Sequence, residues 1–215
     1  MSHAEWFRRS TWTAEDKADF TARLKRSRGS SNRAQYLRIQ ALHLQEIGTE
    51  ALLQAALGLL NQLITDYPDP LQLASAFHQR AQCLSDLGRY PEALESYRSA
   101  FVARRAMPNV HDDAYLDFGE LVLALRRSDL YDEALSALEE FGGDEMFPAH
   151  RYQAAMIRAL IADERGDSTT ARRYAEEALK AADATQSPFR YHRKLGLVRF
   201  VLPDVFARLR ALAAA

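Results

Sequence analysis

The side chains of this sequence that could do chemistry are few and scattered. His111, Asp112 and Asp113 form the most metal-like cluster, three consecutive nitrogen and oxygen donors. They stand just ahead of a helical run, where open amide donors and the helix dipole favour acidic residues, so capping accounts for them more simply. His43 and Glu46 lie three apart on a helix and could share an ion. No second such pair accompanies them, whereas carboxylate-bridged metal sites draw ligands from several helices. The single cysteine, Cys83, falls on an apolar helix face and reads as a small core hydrophobe, because reactive thiols need an accessible electropositive setting. The sequence has no glycine-rich phosphate loop, serine elbow or paired-histidine zinc motif. Together these observations point away from an enzyme and call for no cofactor and no metal.

The sharpest polar feature is the run FRYHRK at residues 189–194, which mixes Arg190, His192, Arg193 and Lys194 with Phe189 and Tyr191. Such a mixture can bind single-stranded nucleic acid through phosphate contacts and base stacking. It can equally begin a terminal helix that covers the end of the fold, and that reading needs no ligand. The charge distribution fits it. Residues 1–35 carry +4, residues 36–188 carry −10 and residues 189–215 carry +5, which sum to the chain's −1. Basic ends and an acidic middle attract each other or neighbouring molecules, a statement about association more than fold.

The elements that must position these residues are helices. With 47% hydrophobic residues the chain can fill a core. No segment approaches the roughly 18 consecutive apolar residues of a membrane span. The most apolar stretch, residues 195–202, is short and holds Arg199. The N-terminal MSHAEWFRRSTWT lacks the apolar core of a secretion signal, so a cytoplasmic location away from membranes is expected.

Helical periodicity runs through almost every segment, and strand periodicity through none. A first helix is expected over residues 14–26, capped by Thr13 with Asp16 completing a capping box and Trp12, Phe20 and Leu24 as its buried stripe. Residues 28–32 (RGSSN) read as a breaker and a flexible joint. The next helix is expected from Arg33 to a stop at Gly48, with Leu37, Ala41 and Leu44 inside, and its partner over residues 50–65, stopped by YPDP. Phe77, Ala81 and Leu84 mark the next inner stripe. Gly88 turns the chain and Pro91 opens the following helix. Phe118, Leu121, Val122 and Leu125 lead to a helix over 131–141 stopped by Gly142 and Gly143. Ala155, Ala159 and Ala162 precede a turn at Gly166. A last helix is expected over residues 189–213, kinked or split by Pro203.

One pattern returns four times, as Ala56–Leu60–Leu63, Ala93–Tyr97–Ala100, Ala134–Leu138–Phe141 and Ala171–Ala175–Ala178, with anchors 37, 41 and 37 residues apart. A period of this size means stacked helical hairpins. In its clearest copy, Phe77, Ala81, Leu84, Gly88, Tyr90, Ala93, Tyr97 and Ala100 resemble the tetratricopeptide repeat, and Ala56, Leu60, Leu63 and Pro68 keep its spacing. The flanks WFRRSTWT and SPFRYHRKLGLV are similar to those of uncharacterised bacterial proteins that carry such repeats, a likeness that brings no activity with it. The resemblance implies an all-α, right-handed superhelical solenoid of about four helix-turn-helix repeats. Its expected divisions are an N-terminal capping helix (1–33), an array (34–70, 71–110, 111–148, 149–187) and a C-terminal capping helix (188–215).

In that family the first helices of successive repeats line a concave groove that receives a peptide or a partner helix. By register the groove here would show Gln35, Arg38, Leu42 and Gln45, then Ser75, His78, Gln79 and Gln82, then Leu116, Asp117, Leu123 and Arg126, and last Gln153, Met156, Leu160 and Asp163. Arg38 occupies one position of the family's carboxylate clamp. Leu42 and Gln79 replace the clamp asparagines, and Leu116 and Gly119 replace its third-repeat cations, which disfavours a receptor for chaperone tails. A mixed polar and apolar groove suits a helix or an extended segment. The expected function is a non-catalytic adaptor binding a protein or peptide partner, or pairing with a second copy through an end helix. The alternative is an inhibitor or regulator of one specific protein, with nucleic-acid binding through the basic ends a third and disfavoured reading.

Overall fold

The amino-acid pattern folds as hairpins because each helix carries one apolar stripe that only a neighbour can cover. In the computed structural model, residues 5–143 and 146–215 are described. The first four residues of the segment judged to lack a secretion signal lie outside these. Among the described residues the chain is all-α, with no strand. The helices are α1 (Ala14–Arg26), α2 (Ser30–Ile47), α3 (Glu50–Asp66), α4 (Pro70–Asp86), α5 (Tyr90–Ala106), α6 (Ala114–Ala124), α7 (Tyr131–Phe141), α8 (Pro148–Glu164), α9 (Ser168–Ala182) and α10 (Pro203–Ala214), with a 3-10 turn at Ser128–Leu130. Successive helices pack as antiparallel pairs. The chain divides into two units, Met1–Ala114 and Tyr115–Ala215. No described helix is long and apolar enough to cross a membrane.

In the first unit, α1 begins at the expected capping box. Asp16 N donates to Thr13 Oγ1 at 3.2 Å, and Thr13 N donates back to Asp16 Oδ2 at 3.0 Å. Phe20 and Leu24 are buried, and Trp12 is half-buried against Phe20. The N-terminal segment folds over this helix and α2. Trp6 packs at a tilt against Phe20 and Tyr36, and the Gln40 amide, wholly buried, exchanges hydrogen bonds of 3.0 and 2.8 Å with the backbone of Arg9.

The breaker at 28–32 is shorter than expected. Ser30, Ser31 and Asn32 already form the first turn of α2, with Gly29 at φ +80°. Arg33 ties the join by donating to the carbonyls of Ser27 and Lys25, which lie at the end of α1. Further on, α2 pairs with α3 and α4 with α5. Ser96 Oγ, on α5, donates to the Phe77 carbonyl of α4 at 2.9 Å. Asp112 caps α6 by accepting from Ala114 N at 2.9 Å. His43 Nδ1 meets Glu46 at 3.1 Å as a surface pair.

In the second unit, Gly119 of α6 lies against Ile157 of α8 so closely that an added Cβ would sit 2.9 Å from Ile157 Cδ1. Ala171, Ala175 and Ala178 of α9 are fully buried where α8 packs on them. α10 lies on α9 and touches α8, and it buries Leu209 completely. The expected helix over 189–213 is corrected here. Residues 187–202 form turns and extended chain, and helix begins only at Pro203, which occupies its first position. Proline in that position starts a helix rather than kinking one, because the amide it lacks would have no partner there.

In the fourfold pattern the first residues behave alike, whereas Phe141, last in the third copy, is half-buried. Ala56, Ala93, Ala134 and Ala171 are all fully buried, as are Leu60, Leu63, Ala100, Leu138, Ala175 and Ala178.

Candidate functional site

A cleft of about 750 Å³ opens in the second unit. That is within the range of pockets that hold small ligands or peptide side chains. One side of it comes from the helices whose inner faces the repeat register picked out. Leu123 lies on α6, and Gln153, Met156 and Leu160 on α8, with Tyr152 and Glu120 beside them. These positions recur at three- and four-residue spacing and so share one face of each helix. The other side is the non-helical strap at 198–202 and the start of α10, which contribute Val198, Val201, Leu202 and Val205. Phe200 and Leu202 are strongly exposed, at 76% and 59%, so the cleft has a wet apolar lip. Large side chains left in water beside a concave apolar surface mark interaction sites more often than chance placement does.

Polar groups stand at both ends. Gln153 Nε2 donates to Glu120 Oε1 at 3.1 Å. Burial pushes the Glu120 pKa up, the Gln153 hydrogen bond pulls it back, and the nearby charge of Asp117 raises it further. At the other end, Arg208 of α10 donates to Asp163 at 2.8 Å and to Glu164 at 3.4 Å, fixing α10 against the end of α8. Tyr131 donates its hydroxyl to Glu164. Burial first, and then that carboxylate, push the tyrosine up to about 12, so it stays a protonated donor. Arg126 and Arg199 complete the lining as cations.

Arg126 stands out for its backbone. Its φ is +51°, and among the described residues no other non-glycine is positive. The turns of the other hairpins place Gly48, Gly88 and Gly166 at φ +75°, +71° and +76°. The hydrogen bonding matches. Arg126 N donates to the Leu123 carbonyl and Arg127 N to that of Val122, as Gly166 N donates to Asp163 and Asp167 N to Ala162. The third hairpin thus carries an arginine where its neighbours carry glycine, in a conformation that costs an L-residue roughly 1 kcal/mol or more. A strained non-glycine residue beside a binding cleft is a pointer to function.

Of the sequence-predicted groove residues in this unit, Leu123, Arg126, Gln153, Met156 and Leu160 come together in the cleft. Asp163 stands at its end, engaged by Arg208. Asp117 is half-buried and acts on the cleft through Glu120. Leu116 is a correction. It is wholly buried and belongs to the core, because the start of α6 is enclosed on more than one face, with Ala114, Tyr115, Phe118 and Gly119 buried around it.

In the first unit, Gln35 and Leu42 are exposed on α2, while Arg38 donates to Gln72 Oε1 at 2.7 Å and Gln45 to Gln82 Oε1 at 3.3 Å. Burial lowers the Arg38 pKa. Ser75 and His78 are half-buried, and the His78 ring lies 6.0 Å from that of Tyr97. Gln79 is a second correction. It is only 4% exposed, with neither amide atom hydrogen-bonded, so it cannot serve as an open surface donor. Cys83 is buried, and burial with the nearby Asp86 charge pushes its thiol up to about 12.

Sequence reasoning missed the strap, Arg199 and Arg208, because these cleft residues come from a segment read as one helix broken at most at Pro203. Pro188, Gly196 and Pro203 were the available signals, three helix-breaking residues within sixteen. Compared with known proteins, the chain matches no family model and no curated sequence.

Proposed function

We propose that the protein is a non-catalytic interaction module, a tetratricopeptide-type array whose second unit takes a partner peptide in the cleft between α6, α8 and the 198–202 strap. The observation that carries this reading is the convergence of Leu123, Met156 and Leu160 on one apolar floor, with Gln153 at its end and Arg126 and Arg199 among the lining residues. Apolar side chains of a bound segment would fill the floor, and acidic residues flanking them would meet the two arginines. The buried anchors at a period of 37 to 41 residues support the repeat assignment. A cytoplasmic adaptor role accords with this chemistry.

The test is selection of short peptides from a displayed random library against the whole chain. Apolar peptides with acidic flanks should emerge with micromolar affinity, about −8 kcal/mol. They should lose that affinity against Leu123→Glu, a half-buried cleft residue whose change leaves the core in place. Peptides that bind the wild type and the folded Leu123→Glu variant equally would sink the cleft as the site.

A further inference from the structure

Residues 184–203 contain no aspartate or glutamate. Within them Arg190, His192, Arg193 and Lys194, with Arg199, surround a single open concavity of about 670 Å³, distinct in its lining from the peptide cleft except for Arg199. Arg190, Arg193, Lys194 and Arg199 form no ion pair with any described residue. Several other arginines, among them Arg9, Arg23, Arg89, Arg127, Arg165 and Arg208, pair with carboxylates.

The loop that presents these cations is built rather than loose. Ser187 N donates to the Arg193 carbonyl at 3.0 Å and Leu195 N to that of His192 at 2.9 Å. The Phe189 ring rests on Phe147 at 5.6 Å, and Ala149 N donates to the Gly196 carbonyl at 2.9 Å. Gly196 itself, at φ +69°, lies so close to the Phe147 ring that no side chain fits between them. Both ends of the loop are therefore pinned to the start of α8, and the cations are held together against their mutual repulsion. The segment does not form the covering helix that would neutralise it. Tyr191, on the same concavity, is 85% exposed, with the Arg190 guanidinium 5.6 Å from its ring centre.

We propose that this loop binds single-stranded nucleic acid, with Arg190, Arg193, Lys194 and Arg199 on successive phosphates and the Tyr191 ring stacked on a base. Unpaired cations around a concave surface supply the phosphate track, and an aromatic ring standing free in water supplies a platform that any base can use. An acidic peptide would use the charges and gain nothing from the ring. A lipid surface would need several apolar side chains pointing the same way, but on the concavity Leu195 is the one exposed aliphatic side chain, and the more exposed Phe200 and Leu202 line the peptide cleft instead.

The experiment titrates the full chain into a fluorescent oligo-dT, and separately oligo-U, of about 15 nucleotides, and repeats the titration from low to moderate salt. With four phosphates neutralised, the logarithm of affinity should fall with the logarithm of salt at a slope of about −3, roughly 0.7 per contact. Changing Arg190, Arg193, Lys194 and Arg199 together to Gln should abolish binding and its salt dependence. Tyr191→Ala should weaken binding by about fivefold or more and leave the slope unchanged. All five residues except Arg199 lie outside the peptide cleft, so an oligonucleotide result stands apart from the fate of the peptide reading. Circular dichroism confirms that each variant keeps its helices. No binding of either oligonucleotide at low salt would overturn the proposal. So would displacement by polyglutamate as effective as by nucleic acid with Tyr191→Ala silent, or binding to phosphatidylserine vesicles without binding to oligonucleotides.

Discussion

Gly196→Ala should release the 187–202 segment without unfolding the protein. Two costs act at once. The left-handed φ of +69° penalises any L-residue by roughly 1–2 kcal/mol. The new methyl would overlap the Phe147 ring at Cγ and Cδ1 and lie 2.7 Å from its Cβ, an overpacking that costs a further ~1–3 kcal/mol. The contacts that hold the loop are of similar size. The Phe147–Phe189 pair contributes about 0.5–1.5 kcal/mol, and the hydrogen bond from Ala149 N about 1 kcal/mol. A penalty of ~2–5 kcal/mol set against a hold of ~2 kcal/mol favours detachment of the loop. The α8–α9 packing and buried Leu209 of α10 do not pass through Gly196 and should survive. Hydrogen exchange followed by mass spectrometry reads this directly. The amides of Ser187, Leu195 and Ala149 should exchange at least about tenfold faster, while those within α9 keep their protection. Unchanged exchange over 183–202 in the variant would refute the claim that Gly196 against Phe147 holds the loop.

Three further outcomes follow from the same geometry. Arg126→Gly should relieve the backbone strain and raise stability by about 1 kcal/mol in denaturant titration, while weakening capture of acidic-flanked peptides; a loss of stability would show that the arginine side chain holds the turn. Asp16 is drawn down to about 2, chiefly by the Thr11 hydroxyl, then by the Thr13 amide and Arg9. A carboxylate with a depressed folded pKa stabilises fully above its unfolded value near 3.8 and loses that contribution as pH falls toward 2. Fluorescence of Trp6 and Trp12 should therefore report loosening of the N-terminal segment between about pH 4 and pH 2, and Asp16→Asn should remove that acid transition. Cys83 should resist thiol reagents at neutral pH and react only as the protein unfolds; rapid labelling of the native chain would contradict its burial.

Much of the fold was legible because its determinants are local. Thr13 and Asp16 announce the start of α1, and Gly48, Gly88 and Gly166 mark turns that need a left-handed residue. The Ala–aromatic–Ala spacing records where helices touch closely, and Ala93, Tyr97 and Ala100 are buried as that spacing requires. The C-terminal segment was not legible, because the contact that shapes it is distant. Gly196 owes its conformation to Phe147, 49 positions away, and no local pattern encodes that pairing. The 28–32 segment misled for the opposite reason. Its polar residues look like a loop, yet only Arg28 and Gly29 of the five lie outside a helix, and Arg33 ties the two helices together. Half of the cleft shared the fate of the strap. Leu123, Met156 and Leu160 follow from helix register, whereas Val198, Val201 and Arg208 come from a fold-back that the hydrophobic period cannot show. Leu116 and Gln79 were placed on a surface by register, although the packing of their helices turns them inward.

The most direct test of the peptide-cleft account uses methionine methyl resonances. Of the four methionines, Met156 lines the cleft, whereas Met107 belongs to the first unit and Met146 is exposed outside the cleft. With the methyl groups labelled by carbon-13, a selected apolar peptide should shift the Met156 signal in proportion to occupancy and leave that of Met107 in place. A peptide that binds while the Met156 signal stays still would contradict the account.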